Sequence, residues 1–127
     1  MNNEKYINEI SGEVLDASIA VHRELGPGLL ESIYEECLLI ELEERMMHVQ
    51  RQVELPVTYK KQKLDNRLRI DLIVENEVII ELKSVEKLLP IHQAQLMTYL
   101  KLSNKELGLL INFNEKLLKN GFKRIRM

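Results

Sequence analysis

The fold of this protein is decided by one segment, residues 69–83, which reads Arg69-Ile70-Asp71-Leu72-Ile73-Val74-Glu75-Asn76-Glu77-Val78-Ile79-Ile80-Glu81-Leu82-Lys83. Two apolar runs flank a short polar sequence, which predicts two strands joined by a tight turn. Charged residues interrupt both strands: Asp71 lies in the first, and Glu81 and Lys83 lie in the second. An interior strand seldom carries charge without a partner or a function, because an unpaired buried charge is costly. We therefore expect the chemistry of the protein to lie on this hairpin.

The length of the turn decides whether these charges meet. A three-residue turn pairs Val74 with Val78 and places Asp71 opposite Glu81 on a shared face, whereas a two-residue turn would place Asp71 opposite Leu82. Two carboxylates ~5 Å apart repel each other, so the first register is favourable only with a cation between them. The register of the hairpin is therefore a structural test of the site.

Two helices are predicted before the hairpin. Apolar residues at steps of three and four predict a first helix over residues 3–25, which the sequence Gly26-Pro27-Gly28 ends, and a second helix over residues 29–47. Alternation then predicts a strand from residue 52 to residue 59, and its Pro56 favours an edge position.

A turn over residues 60–66 is expected to precede the first hairpin strand, residues 67–75. Strict alternation places four apolar side chains of that strand on one face: Leu68, Ile70, Leu72 and Val74. The second hairpin strand spans residues 78–83, with Ile79, Glu81 and Lys83 on one face.

The remaining chain predicts a helix, a buried strand and a short terminal strand. Pro90 suits the first turn of a third helix that runs to about Leu102. Residues 107–113 are apolar on both alternating sets, which is typical of a strand covered on both faces and parallel to its neighbour. The tail is expected to hold a helical turn and a strand around Phe122 and Ile125. The order predicts an α/β (α+β) fold, a mixed sheet flanked by helices, in one domain spanning residues 1–127.

Composition limits the class of protein. The chain has 127 residues, a mass of 14.9 kDa and 45% hydrophobic residues, enough for one domain with its own core. The single cysteine, Cys37, excludes an intrachain disulfide and favours a reducing, cytoplasmic compartment. No apolar run approaches ~20 residues, which excludes a membrane span. The polar start, residues 1–5, does not resemble a signal peptide.

The net charge of −2 counts against a nucleic-acid partner, but the average hides an asymmetry. Residues 1–50 contain three basic and eleven acidic residues, whereas residues 51–127 contain fifteen basic and nine acidic ones. The basic half could present an anion-binding face, and the alternative is that both halves are ordinary solvated surfaces. Charge alone marks several candidates for phosphate contact: Arg69, Lys87, Lys123, Arg124 and Arg126.

The charged hairpin residues are typical of a hard-metal site that cleaves phosphodiesters. Asp71 and Glu81 supply the oxygen ligands that Mg²⁺ or Mn²⁺ prefers, and Lys83 can neutralise charge or orient a water molecule. The alternative interpretation is a salt bridge at the strand end between Lys83 and one of the two carboxylates.

Two helices offer further candidates. His92, Gln95 and Tyr99 recur at steps of three and four on the third helix, although His92 alone could be structural and Tyr99 alone could be a packing residue. Glu31 lies in the first turn of the second helix. Two explanations of this acidic residue are equally good: a favourable interaction with the helix dipole, or a role as a third carboxylate ligand of the metal.

Residues 28–34, Gly-Leu-Leu-Glu-Ser-Ile-Tyr, resemble the motif G-x-x-E-x-x-Y that names the GxxExxY protein family. That family is similar to a small branch of the PD-(D/E)XK nuclease superfamily, whose fold is restriction-endonuclease-like. The resemblance covers nearly the whole chain and includes residues 20–28, 69–72, 81–83, 94–100 and 108–113. Ile70 stands where the superfamily motif has proline.

The resemblance implies an α-β-β-β-α-β core with a divalent metal at the hairpin. By that similarity Asp71, Glu81 and the backbone carbonyl of Leu82 hold the metal, Glu31 adds an acidic ligand, and Lys83 is the signature lysine. Gln95 and Tyr99 resemble the Q-x-x-x-Y element of the helix after the lysine. The residues assigned to substrate contact are Tyr34, Arg69, His92 and Tyr99.

Three functions follow in order of preference. The first is a Mg²⁺-dependent nuclease, with DNA as the expected substrate and repair, recombination or defence as its setting. The second is a catalytically inactive nuclease-fold module that binds a protein or nucleic acid, and the third is a plain structural α/β domain. A homodimer is also expected, because a lone small domain has little surface with which to grip a duplex.

Overall fold

A five-stranded mixed sheet with helices on both faces forms the frame of the protein. The computed structural model describes residues 3–127. The elements, in chain order, are α1 (Asn3–Leu25), α2 (Glu31–Glu44), β1 (Val49–Tyr59), β2 (Gln62–Val74), β3 (Val78–Lys83), α3 (Pro90–Ser103), β4 (Leu107–Asn112), a 3₁₀ turn (Leu118–Gly121) and β5 (Phe122–Arg126). The predicted α/β fold class and the α-β-β-β-α-β core order are confirmed.

The strands lie in the order β1-β2-β3-β4-β5, so the hairpin strand β3 is central. β3 and β4 are parallel, and the other neighbouring pairs are antiparallel. Every residue of β4 is buried, as expected for a strand covered on both faces. Pro56 lies in the edge strand β1, where its missing N–H removes no bond from a central ladder.

The β2–β3 turn has three residues, so the first of the two registers considered for the hairpin is the one that forms. Val74 pairs with Val78, and Leu72 pairs with Ile80. Glu75 and Asn76 adopt left-handed conformations, with φ of 53° and 56°, and the Glu77 N–H donates to the Val74 carbonyl at 3.0 Å. Continuing this register by one step places Asp71 opposite Glu81.

The prediction that the apolar residues of β2 share one face is wrong. Leu72 and Val74 pack in the core beneath α1 and α2, whereas Leu68 and Ile70 pack in the core beneath α3. The change of face coincides with Gln52 of β1, which has a φ of 52° and has no paired residue in the β1–β2 ladder. A left-handed residue within a strand rotates the chain and interrupts its alternation.

Two element boundaries also differ from the predictions. The turn before β2 contains only Lys60 and Lys61, with φ of 49° and 66°, so β2 begins at Gln62. This conformation suits a two-residue hairpin, but two lysines carry none of the glycine or asparagine signal that usually marks one. Helix α2 begins at Glu31 and ends at Glu44, two or three residues inside each predicted end.

Within residues 3–127, no helix combines the length and the apolar character that crossing a membrane requires.

The tight packing of Gly121 against the end of β4 gives a test of the fold. A Cβ at Gly121 would lie 2.5 Å from the Asn112 carbonyl oxygen, whereas a Cβ at Gly12, which is exposed on α1, would meet nothing within 4 Å. We expect Gly121→Ala to lower the free energy of unfolding by about 1–3 kcal/mol through overpacking. Gly12→Ala should instead raise it by about 0.5–1 kcal/mol, because alanine favours a helix interior. Urea unfolding measures both, and equal effects of the two substitutions would contradict the packing described here.

Candidate functional site

Two carboxyl groups meet where β2 and β3 pair. The Asp71 N–H points toward the Glu81 Oε1 atom at 3.4 Å, and the Leu82 N–H donates to the Asp71 Oδ2 atom at 2.8 Å. Glu81 is only 7% exposed and Asp71 is half-buried. The sequence prediction that these two acidic residues lie together on the hairpin is therefore met by the geometry.

Burial and mutual repulsion make this pair unfavourable as two charges. Burial, followed by the charge of Asp71, raises the pKa of Glu81 to about 9, and the charge of Lys83 opposes that rise only in part. Burial also raises the pKa of Asp71, with a smaller contribution from the charge of Glu35, while the Leu82 N–H acts in the opposite direction. Glu81 therefore holds a proton at neutral pH when no cation is bound, and its carboxyl group shares a hydrogen bond with Asp71.

Lys83 ends β3 beside this pair. Its side chain is half-buried and, among the described residues, it forms no salt bridge with Asp71 or Glu81. Its carbonyl accepts a hydrogen bond from the Phe113 N–H at 2.9 Å, which fixes the backbone at the strand end. The alternative interpretation of the pattern as a strand-end salt bridge is thus not supported, and the ammonium group of Lys83 is available for another anion.

Glu31 binds the segment after β3 rather than the carboxyl pair. It is exposed at the first residue of α2, and its carboxylate accepts a hydrogen bond from the Ser84 N–H at 3.3 Å. The Ser84 hydroxyl in turn donates to the Leu29 carbonyl at 2.6 Å. Glu31 therefore lies next to the residue that follows Lys83, and its assignment as a metal ligand stays a prediction.

A different acidic residue of α2, Glu35, is connected to the pair. Glu35 is 6% exposed, and its carboxylate accepts hydrogen bonds from Arg51 Nε and Gln52 Nε2, both at 2.6 Å. The Gln52 amide also lies 3.4 Å from the Asp71 Oδ1 atom. Sequence reasoning missed Glu35 and Gln52, because the link depends on the left-handed backbone of Gln52. The only sequence signal was that Glu35 lies one helical turn after Glu31.

Helix α3 contributes Tyr99 to the site and places Gln95 one turn earlier. Tyr99 is 7% exposed, and burial, followed by the charges of Glu81 and Asp71, raises the pKa of its hydroxyl. Gln95 is exposed, with no hydrogen bond to the described residues, so its amide is free to contact a ligand. His92 accepts a hydrogen bond at Nδ1 from the Leu89 N–H at 3.0 Å, which closes the N-terminus of α3.

The two remaining substrate assignments have different outcomes. Tyr34 is fully buried, its hydroxyl donates to the Gly26 carbonyl at 2.6 Å, and its ring stacks on Phe113 at 4.6 Å. These contacts do not favour the predicted contact of Tyr34 with substrate, which stays a prediction, and they show that Tyr34 supports the fold. Arg69 is exposed on β2 and lies 3.8 Å from a carboxylate oxygen of Glu54, so its contact with substrate stays a prediction.

The donor set of the pair fits a divalent cation held by few protein ligands. Within residues 3–127 no three His, Cys, Asp or Glu side chains are grouped closely enough to enclose a metal ion. Mg²⁺ is commonly held by one or two carboxylates and completes its shell with water and substrate oxygens. A cation held by Asp71 and Glu81 would also oppose the burial and the repulsion from Asp71 that raise the pKa of Glu81. The Leu82 carbonyl remains a predicted further ligand.

The comparisons with known proteins agree with this geometry. The family model of the PD-(D/E)XK nuclease superfamily matches residues 8–125 of the chain. Neither the curated proteins nor the solved structures gave a match. The matched residues include Asp71, Glu81 and Lys83.

The raised pKa of Glu81 predicts how the stability of the metal-free protein depends on pH. The folded protein retains the Glu81 proton up to about pH 9, whereas the unfolded chain releases it near the ordinary value of 4.5. The folded state then binds more protons, so this group lowers the free energy of unfolding as pH rises between those two values. Urea unfolding in EDTA from pH 5 to pH 8 should show the decline. Glu81→Gln should flatten it, while Glu43→Gln, at an exposed position on α2, should leave it unchanged. If the wild type and Glu81→Gln showed the same dependence of unfolding free energy on pH, the raised pKa of Glu81 would be refuted.

Proposed function

This chain belongs to the PD-(D/E)XK nuclease superfamily, and from that premise we propose that it is a Mg²⁺- or Mn²⁺-dependent nuclease that hydrolyses phosphodiester bonds in nucleic acid, with DNA as the expected substrate. The observation that carries the proposal is the Asp71–Glu81 pair, two carboxyl groups held together beside an ammonium group that has no salt-bridge partner among the described residues. A purely structural domain has no need to keep such a destabilising pair in its central strands.

Asp71 and Glu81 are the residues that would hold the cation, with the Leu82 carbonyl as a further candidate. When bound, a divalent cation polarises a phosphoryl oxygen and lowers the pKa of a water molecule. Glu81 must release its proton to act as a ligand, so affinity for the cation should rise with pH. The Leu82 N–H and the Gln52 amide orient the Asp71 carboxylate, and Glu35 in turn orients Gln52.

Lys83 and the polar side of α3 would act on the substrate. The Lys83 ammonium group can stabilise negative charge that develops on a phosphoryl oxygen, an interaction that is strongest in a partly buried site. Gln95, which is exposed one helical turn before Tyr99, would donate a hydrogen bond to a phosphate oxygen or to the attacking water. Tyr99 forms part of the wall against the carboxyl pair, where it would limit the access of bulk water.

Several finer assignments belong to the proposal. Residues 28–34 favour the GxxExxY branch of the superfamily, with Glu31 beside Ser84 at the entrance to the site. A role in repair, recombination or defence, and a homodimer that grips a duplex from two sides, are likewise proposed. Light scattering coupled to gel filtration tests the dimer.

Metal binding and cleavage together test the function. Calorimetry with Mn²⁺ at pH 8 should detect binding to the wild type, loss of that binding in Glu81→Ala, and retained binding in the exposed control Glu43→Ala.

A panel of linear, nicked, branched and single-stranded substrates with Mg²⁺ should then identify a cleaved species. Lys83→Ala should reduce its cleavage by roughly 10²–10³-fold, as expected for the loss of one charge-stabilising group, while Lys101→Ala on α3 should not.

The outcomes separate the nuclease from the inactive module. Cleavage that survives Glu81→Ala unchanged would contradict the proposed site. Carboxylate-dependent metal binding without cleavage of any substrate would favour the second hypothesis, a nuclease fold that binds nucleic acid or protein without cutting.

A further inference from the structure

An open cavity of about 480 Å³ lies between the C-terminal part of α1 and the segment that follows β4. Three basic side chains line it, namely Arg23, Lys116 and Lys119, together with His22 and with apolar residues that include Ile19 and Leu118. Arg23 is one of only three basic residues among the first 50, so its position beside two lysines from the other end of the chain is a product of the fold.

The charges in this cavity are not neutralised by the protein. Among the described residues, Arg23, Lys116 and Lys119 form neither a salt bridge nor a side-chain hydrogen bond. Two of the three basic residues that the sequence marked at the C-terminus behave differently, because Arg126 lies near Glu4 and Glu106 and Arg124 donates to Asn8. Unpaired cations gathered at one concave surface attract anions.

The cavity wall is held in place by contacts to the sheet and to α1. Leu118 is buried between the two lysines, and Gly121 packs directly on the Asn112 carbonyl. The His22 Nε2–H donates to the Glu115 carbonyl at 2.7 Å, which ties this segment to α1. The lysines therefore extend from a fixed backbone rather than from a free loop.

The cavity lies near the end of β4, and Lys83 of the candidate metal site lies at the adjacent end of β3. The parallel strands β3 and β4 end together, with Lys83 paired to Asn112, and the Phe113 N–H donates to the Lys83 carbonyl. Lys116 follows Phe113 by three residues, a chain length that spans at most ~10 Å. Phosphates of one strand rise by about 3.4 Å along a duplex axis, so the backbone from Phe113 to Lys116 spans at most about three nucleotide steps.

Building on the nuclease function proposed above, we propose that this cavity is a second phosphate site, which binds a backbone phosphate of the nucleic-acid strand a few nucleotides from the bond that is cleaved. Arg23 and the two lysines supply the charge, and His22 lines the cavity beside them. This contact does not depend on base identity, so it would position the strand without selecting its sequence.

The test measures duplex binding in EDTA, where no cleavage occurs. The probe is a fluorescent 20-base-pair DNA, titrated by anisotropy at several salt concentrations with wild type, with Lys116→Ala/Lys119→Ala and with Lys101→Ala/Lys105→Ala. The control pair removes equal charge at the opposite end of β4, where Lys105 donates to the Asn76 carbonyl. Melting temperatures confirm that all three proteins fold.

The proposal predicts weaker binding of every sequence by the cavity variant and a slope of log Kd against log salt that falls by roughly one per lysine removed. The control variant should keep the wild-type slope. Equal slopes for wild type and the cavity variant, or the absence of any wild-type binding, would overturn it. So would lysine-dependent binding to phosphatidylserine vesicles in place of DNA.

These outcomes are distinct from those of the proposed function. Lysine-dependent DNA binding by a protein that cleaves no substrate would uphold the cavity and reject the nuclease. Cleavage with Mg²⁺ by a cavity variant whose DNA binding equals that of wild type would uphold the nuclease and reject the cavity.

Discussion

The close opposition of Asp71 and Glu81 across one hairpin is the constraint on which the rest of the structure depends. It follows from a three-residue turn that pairs Val74 with Val78, and it brings the buried carboxyl group of Glu81 next to the half-buried carboxyl group of Asp71. The protein tolerates this because the Leu82 N–H, the Gln52 amide and a retained proton on Glu81 each reduce the cost. Helix α2 and strand β1 contribute Glu35 and Gln52 to the surroundings of the pair, and α3 contributes Tyr99.

The sequence predicted the elements whose burial is regular. Hydrophobic periodicity predicted helix α1, the central strands β3 and β4, and the parallel crossover through α3. The first half of β2 could not be predicted, because residues 62–67 are exposed and carry no pattern that distinguishes a strand from a loop. The hairpin register was left open by the sequence, because turns of two and of three residues both fit the pattern, and the structure shows the three-residue turn.

The details of the site depended on one backbone angle that the sequence does not encode by residue type. Glutamine has no particular preference for positive φ, yet Gln52 adopts it and thereby connects Glu35 to Asp71. The motif pointed instead to Glu31, which lies beside Ser84. For Tyr34 the motif suggested a contact with substrate. Its hydroxyl instead forms hydrogen bonds with Gly26 and Leu29, which shape the preceding loop. The net charge of −2 was equally uninformative, because ion pairing within the fold decides which cations remain available.

The claim that Asp71 and Glu81 form one cation site is tested most directly by diffraction. Crystals soaked in Mn²⁺ at pH 8, with data collected at the manganese absorption edge, should give one anomalous peak within coordinating distance of both carboxylates, and Glu81→Gln crystals should give none there. A peak absent from the wild type, or unchanged in Glu81→Gln, would contradict the account.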